Sequence, residues 1–195
     1  MNEDEVLNIY KSVGALLEGH FILSSGLHSR MYLQSALIFS NTSVAESLCK
    51  SLAQKLNSII NINDIDLIVS PAMGGVIVGY ELSRNLKKTN IFAERKDGKF
   101  SIRRGFEIKK GQKILVVEDI VTTGKSSLEC FECIRELGGE VICEAALINR
   151  GGNSVDLGVP LVTLANLNIP NYDSNNLPED LQKIPAIKPG SRPSK

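Results

Sequence analysis

The chain has no tryptophan, only two histidines and no excess of either charge. Its 22 acidic and 22 basic residues balance, which argues against the clustered basic face that non-specific nucleic-acid binding needs. No apolar run approaches the ~20 residues that span a bilayer, and the start at 1–5 lacks the features of a secretory signal. We therefore expect a cytoplasmic protein with neither nucleic-acid nor membrane partners.

The chain has few cysteines, and their spacing does not match a metal-binding motif. Cys130 and Cys133 form a C-x-x-C pair, but the chain has no second such pair, and His20 and His28 lie far away in sequence. The pair also falls inside a helical pattern, where small apolar thiols at i, i+3 pack easily. We interpret these cysteines as packing residues and expect no metal site made of protein ligands.

The length of 195 residues suits one domain with a buried core. From Asp66 onward, short apolar runs alternate with segments of helical spacing. The predicted strands are 66–70, 91–93, 113–117, 141–148 and 161–167, and the predicted helices are 76–86 and 126–137. This alternation predicts an α/β fold with a central, mostly parallel sheet flanked by helices.

The ends of the chain follow other patterns. The expected elements are a helix over 4–17, an irregular segment 19–34, a helix capped by Thr42 or Ser43 that reaches about Leu56, and an extended tail 168–195 with one short helix near 178–183.

The junction from Ile114 to Ser126 carries the most chemistry. Ligands of open α/β sheets bind beyond the carboxyl ends of the strands, and the start of the following helix favours an anion there. Hydroxyl donors lie in the same stretch, at Thr122, Thr123 and Ser126, and Gly124 lets the backbone approach a ligand closely. Glu118 and Asp119 can accept hydrogen bonds from adjacent sugar hydroxyls. The junction therefore predicts a site for a phosphorylated ribose.

Two other interpretations of this junction exist. Gly124-Lys125-Ser126 looks like the end of a P-loop, but that motif needs a glycine five residues before Gly124, where this chain has Asp119. A carboxylate there would repel a triphosphate. The plainer alternative is a strand that ends in solvated acids before an ordinary capped helix.

The stretch Val116–Ser126 resembles the signature of the type I phosphoribosyltransferases, which transfer the phosphoribosyl group of phosphoribosyl pyrophosphate (PRPP) to a nitrogenous base. The resemblance implies a single domain with a core over about 41–167 and a small hood from about 1–40 and 168–195. It also implies a set of PRPP-binding residues. These are Ala72, Met73 and Gly74 in a pyrophosphate loop, Arg95, Lys96 and Lys99 in a basic stretch, and Glu118, Asp119, Ile120, Val121, Thr122, Thr123, Gly124, Lys125 and Ser126.

Three further stretches are similar to the orotate branch of that family. Residues 19–26 resemble its N-terminal base-binding stretch, 94–106 resemble its mobile catalytic loop, and 185–192 resemble the C-terminal end of one bacterial branch. The resemblance implies transfer of phosphoribose to orotate, which yields orotidine 5′-monophosphate and pyrophosphate in pyrimidine (UMP) biosynthesis.

The resemblance also assigns roles to individual residues. Orotate is expected at Ser25, Gly26, Thr122 and Arg150, and the residues expected to act in catalysis are Arg95, Lys96, Lys99 and Asp119. Arg103 and Arg104 belong to the same basic stretch with a weaker match. One position departs from the pattern, because many members have a lysine where this chain has Ser24.

The same resemblance implies Mg²⁺ and a partner. Mg²⁺ is expected to bind mainly through PRPP and pyrophosphate, and the chain is expected to form a homodimer whose loop reaches into the neighbouring site. Two alternatives stay open at this point. One is a phosphoribosyltransferase for another base, and the other is a PRPP-sensing regulator on the same fold.

Overall fold

Apolar runs of the sequence form the strands, and segments of helical spacing form most of the helices. The computed structural model describes residues 1–23 and 25–189; Ser24 and the tail end that includes Gly190, Ser191 and Arg192 lie outside the described residues. The strands are β1 (Leu16–Ile22), β2 (His28–Leu33), β3 (Leu67–Pro71), β4 (Asn90–Lys96), β5 (Lys99–Ile102), β6 (Lys113–Val121), β7 (Glu140–Asn149), β8 (Leu161–Asn166) and β9 (Asn171–Tyr172). The helices are α1 (Glu3–Ser12), α2 (Ala36–Phe39), α3 (Thr42–Asn57), α4 (Gly74–Leu86), α5 (Lys125–Glu136) and α6 (Glu179–Gln182).

The central sheet has six strands in the order β5-β4-β3-β6-β7-β8. All neighbours pair in parallel except β4 and β5. Apolar side chains are buried on both faces, in one cluster with α1, α3 and α4 and in another with α5. The predicted mostly parallel α/β sheet is confirmed.

The order of the strands creates a crevice. From β3 the chain goes to β4 on one side, and it returns through β6 to the other side. The carboxyl ends of β3 and β6 are therefore neighbours at the point where the strand order reverses. Such a switch point is where open α/β sheets bind ligands.

Two predictions for the N-terminal region are wrong. The helix predicted over 4–17 ends at Ser12, because Gly14 has a positive φ of 71° and the chain then turns into β1. Residues 19–34, expected to be irregular, belong instead to an antiparallel hairpin that pairs Leu16 with Leu33 and Ile22 with His28.

The hairpin recruits the tail of the chain. β2 also pairs with β9, so that β1, β2 and β9 form a second sheet of three strands. Ile187 forms a parallel bridge with Phe21, and α6 lies within the predicted 178–183. The first and last segments of the described chain are thereby joined. No helix among residues 1–23 and 25–189 has the length and apolarity that a bilayer crossing requires.

Candidate active site

The loop between β3 and α4 closes directly onto the acidic end of β6. The Ala72–Met73 peptide bond is cis, and the Ala72 N–H donates to Ala93 O at 2.8 Å. A Cβ added to Gly74 would lie 2.5 Å from Asp119 Oδ1, so that only glycine fits at this position. α4 begins at Gly74, two residues earlier than predicted. The structure thus brings the predicted loop and the predicted acids to one place.

Glu118 lies inside β6, because this strand continues to Val121 instead of ending at Val117 as predicted. Its side chain is only 8% exposed. Burial, together with the nearby charges of Asp119 and Glu144, raises the pKa of Glu118 to about 9, although the Asp119 N–H and Arg95 act to lower it. The carboxyl group is therefore protonated at neutral pH and can donate a hydrogen bond as well as accept one.

Asp119 has a different environment from Glu118. Burial raises its pKa, while the Ile120 N–H and the Ser35 hydroxyl lower it. The Tyr10 side chain lies nearby, and its pKa is raised mainly by burial. The hydroxyls of Tyr10 and Ser35 are buried and form no well-aligned hydrogen bond among the described residues. Tyr10 and Ser35 were not predicted, since nothing in their local sequence indicates a contact with β6.

Glu144 adds a third buried carboxyl group near the crevice. Ser127 Oγ donates to Glu144 Oε1 at 2.8 Å, which links the first turn of α5 to β7. The second oxygen of Glu144 has no hydrogen-bond partner among the described residues. Burial raises the pKa of Glu144 to about 8. An acid inside the apolar run 141–148 was a sequence signal for this group, although the prediction did not use it.

The start of α5 has the features of an anion site. Gly124 is the N-cap with a φ of 76°, and a Cβ there would lie 2.7 Å from Leu157 Cδ2. α5 begins at Lys125, one residue before the predicted start. Thr122 and Thr123 are exposed beside this first turn. Backbone amides of the first turn, a positive helix end and exposed hydroxyls together suit a phosphate group.

A cavity of about 990 Å³ adjoins this end of β6. Its lining joins Ile120, Thr122 and Thr123 to segments that are distant in sequence, among them Ser25, Leu27, Arg150, Asn171 and Lys188. Ser25 and Arg150 were predicted at the base site and both line the cavity. Gly26 is exposed in the same turn and is not part of the lining.

Arg150 is held in place at the end of β7. Its Nη2 donates to Ser29 Oγ at 3.0 Å and to Asn171 Oδ1 at 2.8 Å. Partial burial lowers the pKa of its guanidinium, which remains charged at neutral pH. A fixed guanidinium at a cavity wall suits a carboxylate or a carbonyl edge.

The basic stretch 94–106, expected to be a mobile loop, starts as an antiparallel hairpin. β4 and β5 pair Arg95 with Phe100 and Lys96 with Lys99. Arg95 forms an ion pair with Glu129 of α5, and its guanidinium lies 4.2 Å from the centre of the Phe100 ring. The two lysines are exposed, and the structure does not bring them to the cavity of their own chain.

Arg104 and the two cysteines of the C-x-x-C pair make contacts that stabilise the fold. Arg104 pairs with Glu94 at 2.7 Å, and this contact lowers the pKa of Glu94. Cys130 and Cys133 are buried free thiols, as the packing interpretation predicted. Within residues 1–23 and 25–189, no group of three or more His, Cys, Asp or Glu is arranged to hold a metal ion.

Comparison with known proteins identifies the family of this chain. A family model for the phosphoribosyl transferase domain matches residues 39–158. The orotate phosphoribosyltransferases of Caulobacter vibrioides and Maricaulis maris are 49% and 50% identical to the chain, over 98% of both partners in each comparison.

Solved structures agree with this assignment. Orotate phosphoribosyltransferase from Aeropyrum pernix superposes with a TM-score of 0.68 at 27% identity and covers 83% of this chain and 93% of its own. UMP synthase from Leishmania donovani shares the fold, with a TM-score of 0.71 at 20% identity over 84% of this chain and 36% of its own.

The fold and the crevice define an enzyme of the type I phosphoribosyltransferase class. Within that class, the relatives that match along nearly the whole length decide the branch. The chain belongs to the orotate phosphoribosyltransferases.

Proposed function

We propose that the crevice between β3 and β6 binds PRPP and that the adjoining cavity binds orotate. The enzyme transfers the phosphoribosyl group of PRPP to orotate and releases pyrophosphate, which gives orotidine 5′-monophosphate in pyrimidine biosynthesis. One observation carries the proposal: Ile120, Thr122 and Thr123, which lie between the acids of β6 and the start of α5, line the cavity that holds Arg150.

PRPP fits the crevice in three parts. The 5′-phosphate binds at the start of α5, on Thr122, Thr123, Gly124, Lys125 and Ser126. The ribose hydroxyls bind the acids of β6, flanked by Ile120 and Val121. The pyrophosphate binds at the loop of Ala72, Met73 and Gly74. The raised pKa of Glu118 supports this arrangement, since a neutral carboxyl group does not repel nearby phosphates.

Orotate occupies the cavity beside Thr122. The guanidinium of Arg150 and the turn at Ser25 and Gly26 bind its carboxylate and carbonyl edge. Its nitrogen N1 attacks C1 of the ribose with inversion while the bond to pyrophosphate breaks. Because N1 of orotate is acidic, positioning and electrostatics supply most of the rate enhancement, and no strong general base is needed.

Cations of the β4–β5 hairpin stabilise the departing pyrophosphate. Charge grows on the leaving group in the transition state, so that fixed positive groups lower the barrier. Arg95 lies near the acids of β6 and acts from its own chain after leaving Glu129. Lys96 and Lys99 do not line the cavity of their own chain and serve the site of a second subunit.

A homodimer with shared sites follows from that assignment. Met73, in the pyrophosphate loop, is 84% exposed, and Ile77 and Tyr80 on α4 are also exposed. A shallow apolar groove, lined in part by Phe92 and Phe106, adjoins them. Sedimentation of the native chain and of Ile77→Asp tests the dimer: the wild type is expected at twice the monomer mass and the variant at the monomer mass. A monomeric wild type contradicts it.

Mg²⁺ fits this site through the substrate. Mg²⁺ keeps several waters and commonly binds phosphate oxygens with few protein ligands. The acids at the ribose end, Glu118 and Asp119, are the groups that would hold its coordinating waters. When bound, the ion supplies charge neutralisation on the pyrophosphate. The enzyme works in the cytoplasm, where four buried free cysteines stay reduced.

The deciding experiment is a pyrophosphate-release assay with PRPP and Mg²⁺. Orotate is compared with uracil, adenine and hypoxanthine at equal concentration. We expect turnover with orotate and none with the other three bases. Turnover of another base with none of orotate contradicts the proposal, and nucleic-acid binding without pyrophosphate release would support a PRPP-sensing regulator instead.

A further inference from the structure

The cavity beside Arg150 has a one-sided charge. Two of its described lining residues, Arg150 and Lys188, carry positive charge, and none of the described lining residues is an aspartate or a glutamate. A cavity with such walls favours an anionic ligand, because cations attract the ligand and no carboxylate opposes it. Lys188 lies in the C-terminal tail, in a stretch whose function the proposed mechanism does not yet include.

The tail backbone next to Lys188 is fixed to β1. The Ile187 N–H donates to His20 O at 2.8 Å, and the Ile22 N–H donates to Ile187 O at 2.8 Å. The His20 side chain holds the same segment, since its Nδ1 lies 2.8 Å from Ile184 O. Three hydrogen bonds therefore set the position from which the Lys188 side chain starts.

The imidazole that holds the tail is itself oriented. His20 Nε2 lies 2.6 Å from His28 Nδ1, and both rings are buried. When His20 Nδ1 donates to the Ile184 carbonyl, Nε2 must accept, and His28 Nδ1 is the donor. A buried polar pair of this kind specifies one arrangement of the tail against the hairpin.

The hairpin segment 22–27, which also lines the cavity, contains no lysine. The stretch from Ile22 to Leu27 contributes apolar side chains and the hydroxyl of Ser25. Apart from Arg150, the positive charge in the described lining comes only from the tail. The charge of Lys188 thus reaches the cavity through the docked tail and not through the hairpin.

We propose that Lys188 binds the carboxylate of orotate together with Arg150, so that the docked tail completes the base site. This inference rests on the proposed use of the cavity for orotate. Lys188 supplies a point charge on a long stem, while Arg150 supplies a fixed fork. The tail is then a determinant of substrate binding in addition to a part of the hood.

Steady-state kinetics of the full-length enzyme tests this role. Lys188→Met keeps the length of the side chain and removes its charge. We expect the KM for orotate to rise roughly tenfold to a hundredfold, as for loss of a charged hydrogen bond, with the KM for PRPP changed less than about twofold. Lys188→Arg restores most of the affinity for orotate. The matched control is Lys183→Met, an exposed tail lysine outside the cavity lining, which leaves both KM values unchanged.

The outcomes separate this inference from the proposed function. If the wild type does not use orotate, the proposed function fails. If the wild type uses orotate and Lys188→Met keeps its KM for orotate, only the role of Lys188 is wrong. An equal rise of both KM values that Lys188→Arg does not restore also overturns it, because such a result indicates a structural role for the tail.

Discussion

The two halves of the site differ in charge and in origin. The crevice at the end of β6 contains the buried carboxyl groups of Glu118 and Asp119, and that of Glu144 lies nearby on β7. The adjoining cavity contains Arg150 and Lys188 and no acid among its described lining residues. A sugar with hydroxyl donors suits the first half, and an anionic base suits the second. Burial keeps the carboxyl group of Glu118 neutral, so that the first half can accept a phosphorylated sugar, while the positive charge of the cavity favours the anionic base.

The halves also differ in how the chain builds them. The crevice comes from one continuous stretch, β6 with the start of α5, and from a single loop after β3. The cavity collects side chains from the hairpin, from the end of β7 and from the tail. The contiguous stretch binds the phosphates, which all substrates of the class share. The separate segments can change to accept a different base without altering the core.

The largest expected effect is on catalysis in the first half of the site, the PRPP crevice. Lys99→Ala should lower kcat by ~10²-fold or more while PRPP still binds, since the lysine stabilises charge that exists only in the transition state. Pre-steady-state and steady-state pyrophosphate release, together with PRPP binding by calorimetry, measure the two effects separately.

The control for Lys99 is Lys109→Ala, an exposed lysine outside the β4–β5 hairpin. It should behave like the wild type. A Lys99→Ala enzyme with an unchanged kcat removes this residue from the mechanism. Mixing Lys99→Ala with an inactive Asp119→Asn subunit sharpens the test, because shared sites predict partial recovery of activity in the mixed dimer.

An intermediate effect is expected in the second half of the site, the orotate cavity. Arg150→Ala should raise the KM for orotate roughly tenfold to a hundredfold and leave the KM for PRPP nearly unchanged, because a charged hydrogen-bond partner of the base is lost. Substrate titrations at saturating co-substrate measure this split. Arg135→Ala, near the end of α5, is the matched arginine control.

A raised KM for PRPP with an unchanged KM for orotate in Arg150→Ala would contradict the division between the halves. If only PRPP binding weakened, the guanidinium would belong to the phosphoribosyl half. Equal weakening of both substrates would instead indicate that its bonds to Ser29 and Asn171 hold the hairpin and the tail in place.

The two halves were not equally predictable from sequence. Local chemistry identifies the crevice, because Glu118, Asp119 and Gly124 lie within one motif and the strand–helix alternation places that motif at a sheet edge. The cavity depends on pairings over long sequence distances, such as Phe21 with Ile187, which no local pattern encodes. The hairpin β1–β2 was missed for a related reason, since its short strands bury only part of each face.

The smallest expected effect concerns the core beneath both halves. Glu144 is buried, and its pKa rises from an ordinary 4.5 to about 8, so that the folded state binds a proton that the unfolded state releases. Its contribution to stability is fully present below pH 4.5 and is lost as the pH rises through about 8. Glu144→Gln stays neutral and still accepts from Ser127. The variant should therefore lose less stability between pH 6 and pH 9, by on the order of 2 kcal/mol, in urea unfolding.

The rest of the pH dependence should remain in that variant. Glu118 also has a raised pKa, and its titration persists when Glu144 is replaced. Glu140→Gln, at the exposed start of the same strand, should leave the slope of stability against pH as in the wild type. Equal slopes for Glu144→Gln and the wild type would show that Glu144 is already ionised in the folded enzyme. A negative charge would then lie on β7 near the crevice. The phosphates of PRPP would face a stronger negative field than they do when Glu144 is neutral.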